Sequence, residues 1–194
     1  MKFIYAENAT PINQNEIYNL IPSGLITQKD LDVFEQKNIK KAEEWLFSNR
    51  NKKQELNDIF IKRIHKRMFD QTWKWAGKYR TTNMNIGTDW QKIPQEMIYL
   101  CDDCKYQIEN KVYDIDEIAI RFSHRFVSIH PFQNGNGRCS RLLADWIVHV
   151  NGRNRFSWGS ENLTNKSGTR DLYIKALKKA DNNEIEDLIK FARS

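Results

Sequence analysis

The strongest constraint in this chain is a junction between residues 114 and 150. Ile115, Ile118, Ala119, Phe122, Phe126 and Ile129 recur every three or four residues, the spacing of one helix face. Asp114 and Glu117 precede and open that run as an Asp-x-x-Glu start signal, a variant of the capping box. The helix must stop at His130, because Pro131 disfavours helical geometry in the residue before it. After the turn "PFQNGNG" a second stripe begins past Gly137, with Cys139, Leu143, Trp146, Ile147 and Val150 on one side and Arg138 and Arg141 on the other. A long apolar helix followed so closely by another predicts a mostly helical protein built around the first of them.

The rest of the chain reads the same way. Asp30 to Asn49 carries Leu31, Phe34, Ile39, Ala42, Trp45 and Leu46 near helical spacing, and Leu56, Ile59, Phe60, Ile64 and Met68 mark a second helix. Pro94 can open a third, with Met97, Leu100, Cys101, Cys104 and Ile108 on its apolar face. Two more are expected around Thr169 to Ala180 and Asn183 to Ala192. Tyr79 to Ile93, "YRTTNMNIGTDWQKI", is rich in Thr and Asn and lacks the helical repeat, which suits a short β-hairpin or flap. Residues 1–29, with Pro11, Pro22 and Gly24, read as an irregular arm. At 194 residues and 40% hydrophobic, the remainder, 30–194, is expected to form one helical domain with a small β element.

Several function classes drop out. The net charge is +6, but the basic residues are dispersed among "KNIKK", "NRNKK", "IKRIHKR" and "NGRNRF", a pattern that fits a solvated surface better than a nucleic-acid groove. No stretch reaches the roughly 18 apolar residues of a membrane span, and the N-terminus lacks the apolar run of a signal peptide. "CDDC" at Cys101 to Cys104 resembles half a zinc site, yet the one further cysteine is Cys139, and the pair falls on an apolar helix stripe. Core cysteines, no disulfide framework and a cytoplasmic protein are the expectation.

The junction itself carries chemistry. A helix N-terminus presents unpaired N–H groups and partial positive charge, which suits phosphate. Gly135 and Gly137 allow the backbone to approach a ligand, and Arg138 and Arg141 add two forked cations on one helix face. His130, with an ordinary pKa of about 6.5, can accept a proton beside such a cradle. Each part has a plainer reading: a histidine capping a helix, Arg141 paired with Asp145, glycines serving only a turn. None of these accounts for all the parts within twelve residues. The Walker and dinucleotide patterns are absent.

"HPFQNGNGRCSR" resembles the signature of the Fic family, His-Pro-Phe-x-Asp/Glu-Gly-Asn-Gly-Arg-x-x-Arg, departing from it at one position. "WKWAGKYRTTNMNIG" is similar to the family's lead into its target-docking flap, "HRFVSIHPF" to its central helix, and "LYIKALKKAD" to the late helix lining its adenine pocket. The likeness covers about residues 30 to 192. It implies a mostly α fold and transfer of AMP from ATP to a Ser, Thr or Tyr hydroxyl of a target protein, with release of pyrophosphate. By position, it implies His130 as base and Phe132 as the loop's anchor in the core. Gly135, Asn136, Gly137, Arg138 and Arg141 would hold the phosphates, Tyr173 and Asp181 would contact the nucleotide, and Ile86 and Gly87 would clamp the target. Two alternatives stay open: a nucleotide-binding regulatory module without transferase activity, and transfer of another phosphate-containing group.

Asn134 is the departure. The family usually has an acid there that binds Mg²⁺, and an amide oxygen brings no charge. Asn134 is therefore a metal candidate with weaker binding expected, or a turn residue bonded to its own backbone. Many family members are also restrained by a helix with Ser/Thr-x-x-x-Glu-Gly/Asn. The formal match here is "SWGSEN", Ser157 to Asn162, with Gly159 inside it, so a separate inhibitory partner chain remains a possibility.

Overall fold

A computed structural model describes residues 14–23, 28–159 and 166–194. Most of the N-terminal arm (1–13 and 24–27) and Ser160, Glu161 and Asn162 of "SWGSEN" lie outside the described residues. Seven α-helices are present among them: α1 (Gln28–Leu46), α2 (Asp58–Phe69), α3 (Ile93–Glu109), α4 (Ile115–Ile129), α5 (Asn136–Val150), α6 (Lys166–Ala180) and α7 (Glu186–Arg193). The mostly α fold is as expected. The chain groups into two compact units, Met1–Glu55 with Ile59–Tyr79, and Leu56–Asp58 with Arg80–Ser194.

In the first unit α1 buries Leu31, Ala42 and Leu46, but Glu35 and Asn38 take two core positions that the apolar pattern assigned to Phe34 and Ile39. Both polar groups are satisfied: Trp73 Nε1 donates to Glu35 at 2.6 Å and Asn38 donates to Thr72 Oγ1 at 2.9 Å. Helix α1 ends at Leu46, three residues before the expected stop, where Ser48 Oγ and Asn51 Nδ2 both donate to the Trp45 carbonyl at 2.7 and 2.6 Å. Helix α2 buries Phe60, Ile61, Ile64, His65, Met68 and Phe69, whereas Ile59, expected in the core, is 69% exposed. His65 Nδ1 accepts the Gly77 N–H at 2.9 Å, and its ring lies against Phe69 and Trp75.

The second unit is arranged around α4, which packs against α3, α5 and α7. It buries Ile118, Ala119, Ile120, Phe122, Ser123, Phe126 and Ile129. Asp114 caps it, accepting the Asp116 N–H at 3.0 Å, but the expected capping box does not close: Glu117 accepts from Arg121 at 2.8 Å instead. Helix α5 starts at Asn136, ahead of the position the glycines predicted, because Gly135 at φ 77° already holds the left-handed cap position. Helix α7 starts at Glu186 rather than Asn183, whose φ of 67° is incompatible with a right-handed helix.

No β-ladder forms between Tyr79 and Ile93, so the flap is an irregular loop rather than a hairpin. Its backbone partners lie elsewhere, as described below. Cys101, Cys104 and Cys139 are buried and form no disulfide, as expected of core cysteines. Burial, with Cys101 and Asp103 nearby, pushes the Cys104 thiol up to about 12, far from a metal-ligating thiolate. Among the described residues no helix is long and apolar enough to cross a membrane, and no cluster of three or more His, Cys, Asp or Glu is placed to hold a metal.

Candidate active site

Helix α4 delivers His130 on its C-terminal end. The His130 N–H still bonds the Phe126 carbonyl at 3.0 Å, but its backbone turns left-handed, at φ 54° and ψ 59°. The proline rule places the stop correctly, although it favours an extended residue there. Histidine tolerates the left-handed region better than most residues, yet a non-glycine residue held there costs roughly 1–3 kcal/mol and must be fixed by its surroundings. The imidazole is half-buried, and its buried Nδ1 has no hydrogen-bond partner. Burial lowers its pKa below the ordinary value, the Arg80 charge acts in the same direction, and the Val127 backbone opposes them.

The loop after His130 is pinned at two places. Phe132 is fully buried with its ring 6.2 Å from that of Phe126, the anchoring role expected of it. Asn136, itself 2% exposed, clasps the same residue: its Oδ1 accepts the Phe132 N–H at 2.9 Å and its Nδ2 donates to the Phe132 carbonyl at 2.8 Å. The Asn136 side chain is thus committed to shaping the loop, and what it can offer a ligand is its backbone N–H at the start of α5. Asn134 Oδ1 accepts the Gly135 N–H at 2.6 Å, the turn-residue arrangement.

Arg138 and Arg141 are half-buried on the first two turns of α5. The Arg141 guanidinium lies 5.2 Å from the centroid of the Tyr173 ring rather than paired with Asp145. The Asp145 carboxylate accepts from Phe156 N and Trp158 Nε1, both at 3.0 Å. Tyr173, from α6, also meets Trp158 and Phe191 edge-on or tilted, and its hydroxyl is buried without a partner. The structure therefore brings Tyr173 to the arginine side of α5. Asp181 is instead paired with His124 of α4 at 2.8 Å.

The loop between Tyr79 and Ile93 reaches His130 directly. Ile86 is 56% exposed, while Gly87, at φ 98°, packs on His130: a Cβ at Gly87 would lie 2.7 Å from His130 Cβ and 3.0 Å from the Ile129 carbonyl. Thr88 N–H donates to that carbonyl at 3.1 Å, and Arg80 N–H donates to the Pro131 carbonyl at 3.0 Å. These bonds to the turn around His130 are the partners that a hairpin would have found within itself. Asn83 Oδ1 closes the loop on the Trp90 N–H at 3.0 Å.

Known proteins resemble this chain in part of its sequence and in its fold. Residues 55–148, which include α4, the turn and most of α5, match the model of the Fic/DOC family. Over that stretch the chain is similar to Fic-domain proteins. A Fido domain-containing protein of Dictyostelium discoideum is 42% identical over 64 residues, a stretch spanning 33% of this chain and 40% of that protein. The structure of Fic-1 from C. elegans is similar with a TM-score of 0.68 at 21% identity, covering 92% of this chain and 52% of that one. BepC from Bartonella tribocorum, solved with bound AMPPNP, gives 0.63 at 14% identity, covering 93% and 97% of the two chains. These likenesses establish the Fic fold for the chain.

Residue-type reasoning passes over two groups that the site depends on. One is the Asn136 side chain, whose clasp on Phe132 is invisible without the turn's geometry. The other is Arg80, inside "YRTTNMNIG", which is 3% exposed although an isolated arginine in a polar stretch reads as solvated.

Proposed function

We propose that this chain is a protein adenylyltransferase acting on ATP and a hydroxyl side chain of a target protein. The observation that carries the reading is the placement of a half-buried histidine, its pKa lowered by burial, between a glycine flap and an arginine-bearing helix N-terminus. In the step proposed, the hydroxyl oxygen attacks the α-phosphorus and its proton passes to the His130 imidazole. The bond from the α-phosphorus to the bridging oxygen breaks, and pyrophosphate leaves with that electron pair. The N-terminus of α5 and the two arginines stabilise the charge that moves onto the outer phosphates. The orphaned hydroxyl of Tyr173, whose ring lies against Arg141, is a buried polar group that a nucleotide would satisfy.

Incubating the protein with ATP labelled at the α-phosphate, and separately at the γ-phosphate, tests this. Label on protein from the α position alone is expected, read by intact mass on the enzyme as well as on any target. Label from γ alone would replace the reading with phosphoryl transfer. Nucleotide bound with no label from either position would make the chain a regulatory module.

Mg²⁺ fits the site only in part. Asn134 offers one neutral oxygen that already accepts a hydrogen bond from Gly135, so the nucleotide's phosphates would supply most of the coordination. Bound there, the metal would neutralise phosphate charge. Asn134→Asp is expected to lower the Mg²⁺ concentration giving half-maximal transfer, measured at saturating ATP for both proteins. Superimposable titrations would leave Asn134 as a turn residue alone.

A further inference from the structure

The transfer chemistry above makes no use of Arg80, yet Arg80 is nearly as buried as the core. A guanidinium out of water is costly unless its donors find acceptors. Those of Arg80 find main-chain carbonyls on two segments. Nε donates to His130 at 2.8 Å and Nη2 to Ile129 at 3.4 Å, both on the turn that ends α4. Nη1 donates to Thr82 at 2.8 Å and Nη2 also to Thr88, residues that bracket Ile86 and Gly87. The charge sits at the C-terminal end of α4, where the helix dipole favours a cation.

A residue needed only to cap α4 would require only the first pair of carbonyls. Half of Arg80's acceptors are instead on the flap, and the planar fork sets the spacing between the two segments. The carbonyl held by Nε belongs to His130, the residue in the disfavoured left-handed conformation. Gly87 meets both partners of this clamp, since a Cβ there would lie 2.9 Å from Arg80 Nη2 as well as against His130.

We infer that Arg80 is a positioning residue that holds the base-bearing turn and the target-docking flap in one register, so that a hydroxyl presented by the flap meets the imidazole of His130. The inference rests on the transfer reading. It assigns no contact between Arg80 and ATP, whose phosphates and base are placed on α5 and α6. Loss of Arg80 therefore separates two properties that a general loss of structure would change together: turnover falls and nucleotide affinity stays.

Arg80→Lys, which keeps the charge and loses the fork, and Arg80→Gln, which loses both, test it. For each, self-labelling from α-labelled ATP is followed against ATP concentration, well below the melting temperature, alongside AMPPNP affinity. The expected result for the lysine variant is a rate lower by about 30- to 100-fold, with half-saturation by ATP and AMPPNP affinity unchanged. A rate equal to that of the unsubstituted protein, with only the melting temperature lowered, would reduce Arg80 to a structural cap and overturn the inference.

Hydrogen exchange supplies an arm independent of activity. In either variant the amides of His130 and Thr88 are expected to exchange much faster together, while those of α5 keep their protection. Acceleration of one without the other, or of neither, would overturn the coupling. If the unsubstituted protein labels from no position of ATP, the transfer reading fails, and the exchange arm still decides whether Arg80 joins flap and turn. Should the glutamine variant not fold, the lysine variant carries both arms.

Discussion

His130→Ala is expected to lower transfer by roughly 10²- to 10⁴-fold, the usual worth of a positioned general base, while ATP remains bound. The imidazole lies on the turn beside the flap, whereas the groups proposed to hold phosphate are the α5 N-terminus, Arg138 and Arg141. The pH dependence of the unsubstituted protein sharpens the test. A general base works when unprotonated, and burial and the Arg80 charge both hold the His130 pKa below its ordinary value. The rate in kcat/KM should therefore persist as pH falls through about 6.5 and be lost only below it. Bound phosphates favour the imidazolium, so the acid limb of kcat should lie higher than that of kcat/KM. Measuring both profiles, with calorimetry of ATP binding to the alanine variant, checks the assignment. Near-normal transfer by His130→Ala, or ATP binding lost together with transfer, would remove His130 from the role of base.

Gly87→Ala is expected to cost about 10²-fold in transfer, the effect of displacing reacting groups by about an ångström. Two penalties are involved, and Gly152 separates them. Both glycines have φ near the left-handed range, 98° and 79°, so alanine at either site carries a conformational cost of roughly 1–2 kcal/mol. At Gly152 a Cβ meets nothing within 4 Å, whereas at Gly87 it falls 2.7 Å from His130 Cβ and 3.0 Å from the Ile129 carbonyl. Neither neighbour is the free end of a side chain, so flap or turn must move. Gly152→Ala should lower stability with transfer intact, and Gly87→Ala should lower both. Thermal melts and single-turnover labelling on the two variants measure this. Equal behaviour of the pair would mean that the flap tolerates a shift without disturbing the base.

Much of the α-helical pattern was legible from local chemistry. The stripe from Ile118 to Ile129 lies in the core, α4 ends at Ile129, two residues before Pro131, and Pro94 lies in the first turn of α3. Boundaries were missed where a side chain reaches a backbone group at the helix end. Ser48 and Asn51 stop α1 at Leu46, and the cap conformation of Gly135 starts α5 early. The core positions of Glu35 and Asn38 were not legible either, since each is tolerated inside only because Trp73 or Thr72, more than thirty residues away, supplies its partner.

The candidate site divides along the same line. The amino-acid order determined which groups stand at the turn: a histidine at a helix end, glycines free of a Cβ, and two arginines a helical turn apart. Spacing of that kind is a local property, carried by covalent connectivity and the helix repeat. Tertiary structure decided what those groups are made to do. It set His130 in a left-handed conformation, used the Asn136 amide to clasp Phe132, laid Arg141 on Tyr173 and buried Arg80 between flap and turn. Each of these depends on a polar group leaving water, which is favourable only once a partner distant in sequence, or on the far side of a turn, is held at hydrogen-bonding or van der Waals distance.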